Sequence, residues 1–299
     1  MVLIKEHKVV DFQLNTRLIN YCNNNFIDVI HSKKAIKKAI LTGAIKLNNN
    51  KVETGRYIKD GDVIQLYDLE NKPPKTYNLN LDIIFEDEFL AVVKKPAGLV
   101  VSGNQFRTVV NALPFNIKVS TEKDALRWAK PVHRLDNQTS GLLIVSKTKL
   151  AHINLGKQFE NKLIKKKYIA LVIGKLVGNG FITEPIENKP AKTEYRVIKS
   201  VKSLKNKHLT LVELFPYTGR THQLRIHLSN MGFPILGDKL YGKEDLILKH
   251  KGLFLSAVEL LFKHPVKGND LEIKVDMPNK FNTRLMNEQR RFLEYTQTT

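Results

Sequence analysis

The chain has one cysteine, one tryptophan and four methionines in 299 residues. The single cysteine, Cys22, excludes an internal disulfide and a cysteine-built zinc site. Its expected role is that of a small core residue. No run of about 18 apolar residues occurs, so no membrane span is expected. The opening MVLIKEHKVVDF lacks the long apolar middle of a signal peptide. A P-loop and the Rossmann glycine pattern are both missing. His222 and His227 are five positions apart, the wrong spacing for two metal ligands on one helical face. No cofactor and no metal are therefore expected, and the chain reads as cytoplasmic. Acid is the scarce charge, with 29 Asp and Glu against 49 Lys and Arg, a formal net charge of +20.

A surplus of that size produces a positive surface field and points to a polyanionic partner. A compositional reading stands beside it. The chain is rich in Lys, Asn and Ile together, a bias that AT-rich codons produce whatever the function. Residues 1–70 account for +3 of the charge and residues 71–299 for +17, so the larger part is the more basic.

Pro73 and Pro74, among polar neighbours in 70–80, break any periodic pattern and read as a linker at 71–79. The domains expected are thus 1–70 and 80–299. In the first, 16–24 begins as a short helix. Ser32 is a candidate N-cap for a second helix over 33–41, with Gly43 as its stop. Ile36 and Ile40 share one face of that helix, while Lys33 and Lys37, and Lys34 and Lys38, form i,i+4 rows elsewhere. Short strands over 44–47, 51–53 and 61–66 follow, joined by tight turns. In the second domain, 82–85 and 89–93 bracket an acidic turn and read as a hairpin. Helices are expected over 148–162, 221–231 and 282–295. Strand character marks 167–173, 195–198, 209–214, 252–262 and 271–275. Hairpins interrupted by a few helices give an α+β class, with the large domain on a mostly antiparallel mixed sheet.

The most informative segment is HRLDNQTSGLLIV, residues 133–145. It places Asp136 beside Arg134, in a turn that runs into the β-branched, apolar 142–145. Fixed positive charge favours a carboxylate's charged form, which suits a nucleophile or base. Read without its flanks, an Asp-Asn pair is an ordinary turn former. Asp238, between Gly237 and Lys239, is the rival acid and reads as a structural turn.

Four segments occur in order across the large domain: EDEFLAVVKKPAGLVV, HRLDNQTSGLLIVSKT, KKYIALVIGKL and LFPYTGRTHQLRIHLSNMGFPILGDKLYG. Together they resemble the large-subunit rRNA pseudouridine synthases of the RluA type. The N-terminal Arg17-Leu18, SKKAIKKAILTGAIKLNNNKV and GDVIQL resemble the RNA-binding domain of the ribosomal-protein S-four type. That second resemblance implies that Lys33, Lys34, Lys37 and Lys38 lie along RNA backbone, which supplies affinity and orientation but little sequence choice. One departure shows: Ser102-Gly103-Asn104 stands where many family members carry His-Pro.

The first resemblance implies cleavage of a uridine's glycosidic bond, rotation of the uracil and reattachment through a ring carbon, a reaction with no redox change. It implies Asp136 as the catalytic carboxylate, Arg225 as its basic partner, with Arg220 the alternative, and Tyr168 as the ring stacking on the target base. It implies Arg134 as a residue that displaces or replaces the flipped nucleotide. Arg220, Thr221, His222 and Gln223, at a helix start, either bind phosphate or cap the helix. The partner implied is RNA, with rRNA or the assembling large ribosomal subunit first and tRNA second. A monomer with no membrane attachment is expected. A non-catalytic RNA-binding assembly factor and a hydrolase using Asp136 are the competing readings.

Overall fold

The structure, a computed structural model, describes all residues except 1, 11, 27–28, 31, 69–73, 247–250 and 299. The chain divides into two units, Met1–Pro73 and Pro74–Thr299. Part of the expected linker therefore lies outside the described residues. The rest of it is no free tether. Tyr77 and Leu79 pack on the core of the second unit, and the Tyr77 N–H donates to the Asn111 carbonyl at 2.8 Å.

In the first unit, helices α1 (Leu18–Asn25) and α2 (Lys33–Thr42) cover a four-stranded sheet. Its strands are β1 (Val2–Lys8), β2 (Ile45–Leu47), β3 (Asn50–Lys51) and β4 (Val63–Asp68), in the order β1-β4-β2-β3. The caps of α2 are those read from sequence. Ser32 Oγ accepts from the Ala35 N–H at 3.2 Å, and Gly43 takes the left-handed conformation at φ 79°. Ile36 and Ile40 are fully buried, whereas Lys33, Lys34, Lys37 and Lys38 are exposed. Cys22 is buried, and desolvation pushes its thiol up to about 12. Strand β1 was not foreseen, because VLIKEHK alternates poorly and gives no clean period-2 signal.

The second unit is built on a ten-stranded sheet. Its strands are β5 (Asp82–Glu86), β6 (Leu90–Lys95), β7 (Ala125–Pro131), β8 (Ser140–Thr148), β9 (Lys165–Ile173), β10 (Asn179–Ile182), β11 (Thr193–Ser203), β12 (Lys207–Pro216), β13 (Leu255–Lys263) and β14 (Asp270–Lys274). The main path runs β10-β11-β12-β9-β13-β8-β6-β5, with β14 on β13 and β7 on β8. Helices α3 (Val109–Asn116), α4 (Lys149–Glu160), α5 (Gln223–Asn230) and α6 (Asn279–Thr298) complete it. Helix α3 and strands β7 and β10 were not anticipated; α3 carries Pro114 near its end, which masks its helical pattern.

The β8–β13 junction positions the site. It is parallel in an otherwise antiparallel ladder, pairing Ser140 with Ser256 and Gly141 with Ala257. Gly141 has φ 114°, and a Cβ there would lie 2.1 Å from the Ala257 carbonyl oxygen. Only glycine permits this approach. One apolar cluster takes Leu143 and Val145 of β8 with Ala257 of β13, and another takes Leu255 and Val258 of β13 with Leu171, Leu214 and Leu228. Tyr168 packs against both.

Candidate active site

Asp136 sits in the turn entering β8, where its carbonyl accepts from the Thr139 N–H at 3.1 Å. It faces a cleft of about 320 Å³ also lined by Arg134, Tyr168, Arg220, His222 and Arg225. Residues from three separate stretches of sequence thus meet around one carboxylate. Arg225 Nη1 lies 3.7 Å from Asp136 Oδ2, and His222 Nε2 lies 3.8 Å from Oδ1. Both distances are too long for hydrogen bonds, and the arginine contact is an electrostatic one. The Asp136 side chain remains about a quarter exposed, open to an incoming group.

Beside its contact with Asp136, Arg225 has a second and closer partner that the sequence did not show. Arg225 donates from Nε and Nη2 to the two carboxylate oxygens of Asp238, each at 2.7 Å. Asp238 also accepts from the backbone N–H groups of Leu240 and Tyr241. Asp238 is therefore a turn former, as expected, and in addition a buried anchor for the arginine. Burial opposes Asp238's charge, but the guanidinium and the two N–H groups hold its carboxyl below the ordinary range. Burial likewise opposes Arg225's charge, and Asp238 first, then Asp136, more than offset it. The guanidinium carbon also lies 5.0 Å from the centre of the Tyr241 ring. Gly237, at φ 82°, makes this arrangement possible, since a Cβ there would lie 2.0 Å from the Gly252 carbonyl oxygen.

Tyr168 lies half-buried just before the buried half of β9, opposite Ala257 and Leu214. Desolvation, and then the charge of Asp136, push its phenol well above the usual range, so it stays neutral. Arg134 is exposed on the cleft wall.

The polar cluster before α5 divides. His222 is the helix's N-terminal flanking residue at φ 54° but makes no side-chain cap. Its Nδ1 is hydrogen-bonded to the Tyr241 hydroxyl at 3.0 Å, which turns Nε2 toward Asp136. Gln223 does not fit the expected RNA contact. Its amide oxygen accepts from Thr218 Oγ1 and the Arg220 N–H, and its nitrogen donates to the Lys192 carbonyl and Thr193 Oγ1. It is 4% exposed and braces the loop from within. Arg220 donates from Nε to the Pro190 carbonyl at 3.2 Å, so it rims the cleft and does not replace Arg225.

Three residues of the site escaped the sequence reading. Lys95 is fully buried, and its Nζ donates to the carbonyls of Pro96, Leu99 and Asn137 at 2.7–3.1 Å. It ties the turn after β6 to the turn that carries Asp136. Burial pulls its amine down to about 8, against the opposing pull of Asp136. His133 stacks on Phe159 at 4.6 Å, and its Nε2 accepts from the Ile144 N–H. Burial, then the charge of Lys166, push this imidazole down to about 3. Tyr241 is the third. Nothing in the sequence around Lys95 marks it as buried, and only the closed fold shows it inside. The Ser102-Gly103-Asn104 departure falls on an exposed bend.

Residues 89–230 match the RNA pseudouridylate synthase family. An RNA pseudouridine synthase of Aquifex aeolicus is 35% identical over 280 residues, covering 84% of this chain and 88% of that protein. The ribosomal large subunit pseudouridine synthase C of Rickettsia typhi is 31% identical, covering 84% and 90%. Among solved structures, human RNA pseudouridylate synthase domain containing 4 aligns with a TM-score of 0.55 at 25% identity, covering 70% of this chain and 92% of that one. The chain belongs to the RNA pseudouridine synthases of the RluA type, and is an isomerase acting on RNA.

Proposed function

We propose that the protein isomerises specific uridines of large-subunit ribosomal RNA, in the cytoplasm, with Asp136 as the catalytic carboxylate. The observation that carries this reading is the half-open Asp136 carboxylate in the cleft, 3.7 Å from a buried arginine whose other face is locked to Asp238. The rRNA substrate is supported by the names of relatives such as the Rickettsia typhi enzyme.

The chemistry asks little else of the protein. The bond from the ribose to the ring nitrogen breaks, the freed uracil turns, and a ring carbon joins the sugar and then loses its proton. Asp136 acts on the sugar as nucleophile or base; the carboxylate then helps remove the ring-carbon proton to solvent, and the ring nitrogen freed from the sugar takes up a proton, so the balance is that of an isomerisation. Arg225 keeps positive charge beside the carboxylate throughout. Tyr168, neutral and wedged between two apolar clusters, offers a ring face to the flipped base. Arg134 stands on the cleft wall, placed to fill the space the base vacates. Lys33, Lys34, Lys37 and Lys38 on the N-terminal unit hold RNA phosphates and dock the substrate.

The test uses large-subunit rRNA transcribed with tritium at uracil C5, since only isomerisation releases that proton to water. Wild type releases tritium, and Asp136→Asn releases none while still binding the transcript. Release of free uracil would indicate a hydrolase. Release from tRNA but not from rRNA would move the substrate to tRNA. Binding without any release, in the wild type, would leave an assembly factor.

A further inference from the structure

Outside the cleft, the β10–β12 edge of the sheet carries a paired aromatic surface with a shared cation. Phe181 on β10 is 57% exposed, and Tyr217, just past β12, is 49% exposed. Their ring centres are 6.3 Å apart at 53°. Lys192 Nζ lies 4.4 Å from the Phe181 ring centre and 5.0 Å from that of Tyr217. The acid in this patch, Glu194, is neutralised internally, accepting from the Tyr217 hydroxyl at 2.8 Å and pairing with Arg196 at 2.6 Å.

The patch adjoins the cleft. Pro216 and Thr218, on either side of Tyr217, both line it. The Lys192 N–H donates to Thr218 Oγ1, and its carbonyl accepts from Gln223, so the backbone that carries this cation is tied to the cleft's rim. Single exposed aromatics need no explanation. A pair of them sharing a cation, at the mouth of a site that takes a flipped base, has the composition of a surface for unpaired nucleotides.

We propose that Phe181, Tyr217 and Lys192 bind an unpaired nucleotide of the substrate RNA that flanks the target uridine. The base stacks on the aromatic pair, and Lys192 meets a phosphate. This rests on the reading of the cleft as the place where the target uridine reacts, and adds a second subsite that recognises single-stranded RNA by stacking.

The experiment compares two ten-nucleotide probes, oligoadenylate and an abasic strand with the same backbone; neither offers uracil to the cleft. Wild type binds oligoadenylate the more tightly. Phe181→Ala with Tyr217→Ala weakens oligoadenylate binding by about tenfold. Affinity for the abasic strand and the salt dependence stay unchanged. Phe181→Ala alone, which breaks no hydrogen bond, shifts binding in the same direction. Lys192→Gln weakens both probes alike and lowers the salt slope by about 0.7. On the rRNA transcript the double variant raises KM and keeps kcat. Equal affinity of wild type for the two probes overturns the proposal. So does an unchanged KM in the double variant, the result expected if this surface serves a protein partner. A wild type that isomerises no uridine defeats the proposed function instead, and the oligoadenylate comparison is read independently of it.

Discussion

Replacing Asp238 with Asn separates the two aspartates that touch Arg225. The Asp238 side chain is fully buried and accepts four hydrogen bonds, two from Arg225 and two from backbone N–H groups. Arg225 is itself 5% exposed. Removing one partner of such a pair leaves a charge in low dielectric without compensation, a loss of about 3–5 kcal/mol. An Asn carbonyl keeps one acceptor, which places the expected loss near 3 kcal/mol. The freed guanidinium also shifts against Asp136, and a displacement of about 1 Å near reacting groups lowers kcat by roughly 100-fold. Asp136→Asn behaves differently. Its side chain is partly exposed and 3.7 Å from the arginine, so the stability change stays below about 1 kcal/mol, while turnover vanishes. Urea denaturation and tritium release on the two variants read both effects. A loss below about 1 kcal/mol in Asp238→Asn, or full turnover, would refute the anchoring argument.

Three further outcomes are expected. Asp136→Asn keeps RNA affinity within about tenfold of wild type, because binding is spread over many cations; filter binding to the rRNA transcript checks it. Acid destabilises the fold through His133. Its imidazole is held at about 3 against 6.5 in the unfolded chain, so the unfolded state binds the extra proton and stability falls as pH drops from 6.5 toward 3, by about 2 kcal/mol at pH 5. A His133→Gln variant, which can still accept from Ile144, loses that slope in pH-dependent denaturation; an unchanged slope places the titration elsewhere. Replacing Lys33, Lys34, Lys37 and Lys38 together with Gln lowers the slope of log affinity against log salt by up to about 3 and leaves kcat unchanged on saturating substrate. A constant slope means the helix does not touch RNA.

Much of this was legible in the chain. The caps of α2 follow from Ser32 and Gly43, whose chemistry is local. Asp136, Tyr168 and Arg225 could be named because they stand in long ordered segments, and the fold brings all three to one cleft. What escaped depends on contacts between distant segments. Lys95 is indistinguishable by sequence from its half-buried neighbour Lys94. Asp238 showed only its turn-forming half, since its arginine partner is thirteen residues away on a helix. Gln223 looked like a free polar group at a helix start, and the fold surrounds it with four partners. The β8–β13 parallel pairing leaves a trace only in Gly141, which must be glycine for a reason that Ala257 supplies.

The most direct test of the central claim is a transcriptome-wide carbodiimide map of pseudouridine in a deletion strain carrying either the wild-type chain or Asp136→Asn. The account predicts that one or a few stops in large-subunit rRNA are present with wild type and absent with the variant. Identical maps, on cells shown to lack any second enzyme for those sites, would contradict it.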